Sequence, residues 1–146
     1  MSQKTIIIAV IIILAIFGLA TVGYFKAVPG VEYQTDSRPQ IEITPKVFDF
    51  GEIEYGKIAE HTFKIKNLGG EVLEIKRVAT SCACTSAEVG KKILGLDEET
   101  DLNVTYDTGL MGDSPHAKGD QERIIYVKSS DPVNPQVEVT IHAYVK

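Results

Sequence analysis

The sequence predicts an all-β domain, a two-sheet sandwich of about seven strands, carried behind one N-terminal transmembrane helix. Three observations predict it. An uncharged apolar run opens the chain, short stretches of period-2 alternation fill the rest, and Gly, Pro, Asn and Asp stand at the breaks between those stretches. Beyond Gln40 no stretch keeps a helical period long enough to form a stable helix.

The apolar run extends from Ile6 to Phe25, 20 residues without a charge, between Lys4 and Lys26. A helix of that length spans about 30 Å, the hydrocarbon thickness of a bilayer. The run therefore predicts a retained signal anchor over residues 5–26. The alternative is a cleaved signal with a secreted or periplasmic product, because Gly18-Leu19-Ala20 offers small residues before a cleavage point. The run is longer than the usual apolar region of such signals, which favours the anchor. Lys4 on one side faces Lys26 and Arg38 on the other, so the positive-inside bias is close to a tie. With a short tail before the run and the folded part after it, the expectation is a single-pass protein whose C-terminal domain lies outside the cytoplasm. Residues 27–39, with Pro29, Gly30, Ser37 and Pro39, read as a linker, and residues 40–146 as the domain.

From Gln40 onward 12 Lys and Arg stand against 18 Asp and Glu, a net charge of −6 with the signs interspersed. A phosphate backbone needs a basic stripe, so no nucleic-acid partner is expected.

The strands follow in order. Ile41-Glu42-Ile43 begins the domain, Thr44-Pro45 interrupts it and Val47 to Phe50 resumes it; a proline there predicts an edge strand or a switch between sheets. Ile58 to Lys66 alternates, with His61, Phe63 and Ile65 on one face. Asn67-Leu68-Gly69-Gly70 turns the chain, and Glu71 to Val78 points Leu73 and Ile75 inward. Ile93-Leu94 is a short apolar step, after which Thr100, Leu102, Val104 and Tyr106 define a strand face. Asp107 to Asp120 is the longest break and reads as a loop. Ile125 and Val127 carry the next strand, Ser129-Ser130-Asp131-Pro132 turns it, and Val137, Val139, Ile141, Ala143 and Val145 form one face of the last. About seven strands with one buried face each fit an immunoglobulin-like sandwich, with a small closed barrel as the alternative.

The tightest chemical feature is Ser81-Cys82-Ala83-Cys84-Thr85, which holds the chain's 2 cysteines. In an extended segment both sulfurs would share a face. Three readings stay open: small core residues, which the sequence favours; a disulfide; or a two-thiolate clamp for copper or zinc. A disulfide across one residue is awkward in an extended chain, because the Cα separation nears the upper limit. For a metal, Met111 and His116 in the long loop are the candidate helpers of Cys82 and Cys84, a soft set suited to cuprous copper. The spacing matches no structural zinc pattern. His61, on an apolar face, is expected to be a partly buried, hydrogen-bonded strand residue, and His142 a solvated one. Asn103-Val104-Thr105 matches a glycosylation acceptor but falls within a strand. No nucleophile stands in a recognisable catalytic motif, so no enzyme, catalytic residue or bound cofactor is expected.

The series Val47-Phe48-Asp49-Phe50-Gly51-Glu52-Ile53, Phe63 to Gly69, Leu73-Glu74-Ile75, Ser81 to Thr85 and Ser129-Ser130-Asp131-Pro132 resembles the bacterial immunoglobulin-like family known as domain of unknown function 1573. It is more distantly similar to hydin-type and major-sperm-protein-type sandwiches. The resemblance covers Ile41 to Val145 and implies the fold, an exported location and a bacterial origin, without an activity. The family usually has Gly between the two cysteines, where this chain has Ala83. The expected function is a membrane-tethered, extracytoplasmic binding or scaffolding module with a protein partner. The alternative is a thiol-redox or copper-binding protein acting through Cys82 and Cys84.

Overall fold

The computed structural model describes residues 37–112 and 116–146. The anchor expected at 5–26 and the linker as far as residue 36 lie outside the described residues. The described residues form nine strands and no helix: β1 (Ile41–Thr44), β2 (Val47–Ile53), β3 (Ile58–Asn67), β4 (Leu73–Thr80), β5 (Thr85–Val89), β6 (Ile93–Leu94), β7 (Glu99–Asp107), β8 (Gly119–Ser129) and β9 (Gln136–Val145).

Two separate sheets pack face to face. One has the order β1-β3-β7-β5, the other β2-β9-β8-β4-β6. The open edges make this a sandwich rather than a barrel. Alternation along each strand supplies the two inner faces. Phe63 and Ile65 from β3, Leu102, Val104 and Tyr106 from β7, and Ile125, Val127, Val139 and Ile141 from β8 and β9 are all at most 1 % exposed. The chain changes sheets where the proline predicts it. β1 pairs antiparallel with β3, a cis Thr44–Pro45 bond follows, and β2 pairs parallel with β9 in the other sheet.

Strand number exceeds the expected seven for a physical reason. β5 has the small residues Thr85, Ala87 and Val89 on its inner face, and β6 is two residues long. β8 begins at Gly119, inside the stretch read as loop, because its first inward positions carry Gln121 and Arg123 instead of apolar side chains. His61 is half-buried on the apolar face as expected, but stacks on Phe48 with ring centroids 3.5 Å apart. Its buried Nε2 has no hydrogen-bond partner, which corrects the expected hydrogen-bonded histidine. Burial lowers its pKa, so the ring stays neutral at pH 7.

One end of the sandwich is fixed by two buried polar side chains. Asn67, 0 % exposed, donates through Nδ2 to the carbonyls of Glu71 at 2.8 Å and Gly95 at 2.9 Å, and its Oδ1 accepts from Gly69 N–H at 3.0 Å and Gln40 N–H at 3.3 Å. Asp131, 1 % exposed, accepts from Ile41 N–H at 3.0 Å, Val133 N–H at 2.8 Å and Asn134 N–H at 3.0 Å. Together they join three turns to the start of β1. The incoming chain crosses Gly69 so closely that a Cβ there would lie 2.0 Å from Arg38 O and 2.5 Å from Gln40 N.

Gly69→Ala is expected to cost about 3 kcal/mol, the upper range for forced overpacking, measured by urea unfolding; an unchanged midpoint would refute the crossing. Burial alone would raise the pKa of Asp131, but the N–H groups of Asn134, Ile41 and Val133 outweigh it and hold the carboxyl below its ordinary value. A depressed carboxylate pKa contributes stability that is complete above the unfolded value near pH 4 and is lost as pH falls through the folded value. Asp131→Asn should therefore lower stability at pH 7 and flatten the acid limb of the stability–pH curve. Parallel acid limbs for the two proteins would contradict this.

Candidate functional site

The opposite end of the sandwich holds the cysteines, in a turn between β4 and β5. Ser81 is clamped to β8: its N–H donates to Ile124 O at 2.9 Å, and its Oγ accepts from Ile124 N–H at 3.0 Å. The Thr80 hydroxyl lies 3.0 Å from Cys82 O and 2.8 Å from Thr85 O, while Thr85 N–H donates to Cys82 O at 3.2 Å. These bonds bend the chain. The Cα atoms of Cys82 and Cys84 come to 5.3 Å, and a disulfide joins their sulfurs. Two extended residues would stand about 6.6 Å apart. The extended placement used to read the pair is thus corrected, and the bend brings the Cα separation near the usual disulfide value. Ala83 has no positive φ, so the turn does not require the glycine usual at that position.

Cys84 is buried at 2 % exposure, whereas Cys82 is half-buried and accepts from the Cys84 N–H at 2.9 Å. Above the disulfide lies a hollow of about 420 Å³, lined by Cys82, Met111, His116, Lys118, Asp120, Gln121 and Arg123. Three of the four residues singled out in the sequence line it, and the fourth, Cys84, lies beneath.

The organising side chain is one the sequence reading passed over. Arg123 shares the inward parity of Ile125 and Val127 on β8, so a guanidinium occupies a position that an apolar residue would normally take. Its Nε donates to Cys84 Sγ at 3.2 Å, and its Nη2 points to Met111 Sδ at 3.0 Å and to Gln121 Oε1 at 2.5 Å. Nη1 donates to Glu122 O at 2.7 Å, and the guanidinium carbon stands 5.5 Å from the Tyr106 ring centroid. Among the described residues no carboxylate is paired with it. Neutral acceptors and an aromatic face offset the desolvation of the charge. Buried Gln121 extends the network, donating to His116 O at 3.0 Å and Lys118 O at 3.2 Å, which fixes the limb of the loop that enters β8. The inward parity of Arg123 was the available sequence signal, but a charge at that position breaks the apolar pattern by which faces are read.

This geometry bears unequally on the open readings of the pair. In the disulfide both sulfurs are bonded, and a guanidinium lies against Cys84 Sγ and Met111 Sδ, where a cuprous ion would have to sit among the soft donors. Two like charges cannot share that space without a large cost. Among the described residues no group of three or more His, Cys, Asp or Glu side chains is placed to hold a metal ion.

Among the described residues two other hollows are not lined by the cysteines. A trough of about 500 Å³ on the outer face of β2, β9 and β8 is bordered by Asp49, Glu52, Asp120, Glu122 and His142. His142 is half-exposed there, with Nδ1 3.9 Å from Glu122 Oε2, close to the solvated residue expected. A groove of about 320 Å³ runs along the flank between β4 and β5, lined by Arg77, Val78, Ala87, Glu88, Val89 and Lys92.

Fold and site together define an immunoglobulin-like sandwich with a disulfide-bonded Cys-x-Cys turn at one end. The chain belongs to the family described as protein of unknown function DUF1573, whose model matches residues 41–145. It is similar to a protein of unknown function from Porphyromonas gingivalis W83 at 18% identity and a TM-score of 0.66, over 79% of this chain and 51% of that one. This chain therefore spans about half the length of that relative. The ASH/PapD-like domain 7 of human CEP192 is similar at 13% identity and a TM-score of 0.57, over 82% and 92% of the two chains. The periplasmic chaperone SfaE is similar at 8% identity and a TM-score of 0.51, over 73% and 58%. At such identities the likeness is one of fold. No curated protein matches the chain.

A bond that closes a loop around one residue constrains the unfolded chain little and ties no two strands across the core. Its reduction should cost about 2 kcal/mol or less, below the value for a 15-residue loop. Urea unfolding with and without dithiothreitol measures this. Global unfolding on reduction would show the bond to be a structural staple instead.

Proposed function

We propose that the protein is a membrane-tethered, extracytoplasmic binding or scaffolding module that takes an extended segment of a partner protein onto the free edge of β5. The observation that carries this reading is the state of that edge. β5 pairs only with β7 among the described residues. Cys84 O and Gly90 N–H bond toward β7, to Asp107 N–H and Asp101 O, so the alternate residues Ala87 and Val89 turn their backbone groups outward. Beside them the flank groove offers the partly buried side chains of Val78, Ala87 and Val89. An added strand would complete the backbone pairing and seat every second side chain in the groove. The groove is also bordered by Arg77 and Lys92 against Glu88, which favours a segment carrying an acidic residue.

The tethered, exported placement rests on the apolar run from Ile6 to Phe25 and on the disulfide, a bond that persists in oxidising compartments. Arg38 and Gln40 bond to the turn after β3, at the end of the sandwich opposite the cysteines. Arg38 and Gln40 thus enter the domain at the end away from the disulfide.

Both parts are testable. A C-terminal fusion to a phosphatase that folds only after export should be active and stay with membranes after carbonate extraction; activity confined to the cytosol would refute the placement. Ala87→Pro removes one outward N–H while leaving the bonds to β7 intact, a change edge strands tolerate. Peptides selected for binding to the full chain should lose affinity by about tenfold or more on Ala87→Pro, while the variant stays folded by circular dichroism. Equal binding to both proteins would remove β5 as the docking edge.

A further inference from the structure

We propose that Cys82–Cys84 is a thiol–disulfide exchange site in which a substrate thiolate attacks Cys82 and the adjacent Arg123 guanidinium stabilises Cys84 as the departing thiolate. The site goes beyond the binding role and does not depend on the β5 edge.

The two sulfurs are unequal. Cys82 is half-buried and borders the hollow, while Cys84 is 2 % exposed beneath it. An incoming thiolate therefore meets Cys82 first. Among the described residues, Lys118 and Arg123 border the hollow against one acid, Asp120, a balance that favours an anionic nucleophile. Exchange speeds up as the departing thiol becomes more acidic, and a neighbouring arginine is one of the features that makes a thiol acidic. Arg123 Nε lies 3.2 Å from Cys84 Sγ and has no carboxylate to pair with among the described residues. Its charge is thus available to the sulfur as negative charge develops there. Met111 Sδ and Gln121 Oε1 hold the guanidinium in place from its other side.

The substrate thiolate, RS⁻, forms a bond to Cys82 Sγ, and the Cys82–Cys84 bond breaks with its electron pair moving to Cys84 Sγ. A second substrate thiol, as its thiolate, then displaces Cys82 from the mixed disulfide. The products are RSSR and a protein dithiol, the two sulfurs of the protein being reduced and two substrate thiols oxidised. The substrate class is a thiol, either a small molecule or a cysteine of an extended polypeptide.

The test uses the full chain in mild detergent, purified without reductant. Glutathione and a cysteine-bearing peptide serve as the two thiol sources, with acid quenching and mass mapping of mixed disulfides. Reaction of either at Cys82 supports the site, and the faster of the two identifies the source. Reaction of neither in the folded protein, or adduct on Cys84 instead, overturns it. Arg123→Met should slow exchange by about tenfold and Arg123→Lys by much less, since Lys keeps the charge; a rate for Arg123→Met equal to wild type refutes the role of Arg123. Should Arg123→Met fail to fold, Cys82→Ser with Arg123 intact carries the test. The thiolate absorbance of Cys84 should then titrate with a midpoint below about 8.5, the ordinary cysteine value, although burial alone would push it up. A midpoint at or above that value overturns the proposal.

Discussion

A guanidinium directed into the sandwich, against sulfur instead of carboxylate, sets the character of the cysteine end. Arg123 occupies an inward position of β8 and reaches Cys84, Met111 and Gln121 at once. Through Cys84 it touches the β4–β5 turn, through Met111 and Gln121 the limbs of the β7–β8 loop, and through its face the Tyr106 ring of β7. The Tyr106 hydroxyl is buried, and burial raises its pKa against the opposing charge of Arg123. A paired carboxylate would have neutralised the arginine and made the cluster a structural one. Neutral partners leave the charge in force beside a sulfur.

The two ends of the sandwich thereby divide the work. At one, Asn67 and Asp131 use buried, fully bonded side chains to fix the turns and the incoming chain, and Gly69 makes room for that chain to pass. At the other, the hydrogen bonds are made to sulfur and to loop carbonyls, and the surface is concave. Between them run paired strands, and Arg123, on β8, is carried by a sheet instead of by a loop.

The sequence made the fold legible wherever alternation was apolar. β9, with Val137, Val139, Ile141, Ala143 and Val145 inward, and β3, with Phe63 and Ile65, follow their side-chain pattern closely. The pattern fails where inward positions are small or polar. Ala87 sits on β5, a strand the pattern hides, and Gln121 and Arg123 hide the first half of β8, where the inward positions make hydrogen bonds rather than fill the core. The family resemblance marked the right turns, and the structure gives their reason: Asn67, Gly69 and Asp131 are the residues that buried hydrogen bonds and a close chain crossing require. The site was half visible. Cys82, Cys84, Met111 and His116 do converge, but the residue that relates them is an arginine, and no spacing in the chain links position 123 to position 84.

The account rests on a disulfide that is formed in the native protein and open to exchange without loss of fold. Its most direct test is the redox state of Cys82 and Cys84 in intact cells, trapped by acid and differential alkylation before and after brief exposure to an added, membrane-impermeant thiol. The account predicts a disulfide before exposure and two alkylatable cysteines after it, with the domain still resistant to protease. Free thiols from the outset, or a bond that the impermeant thiol cannot reach, would contradict it.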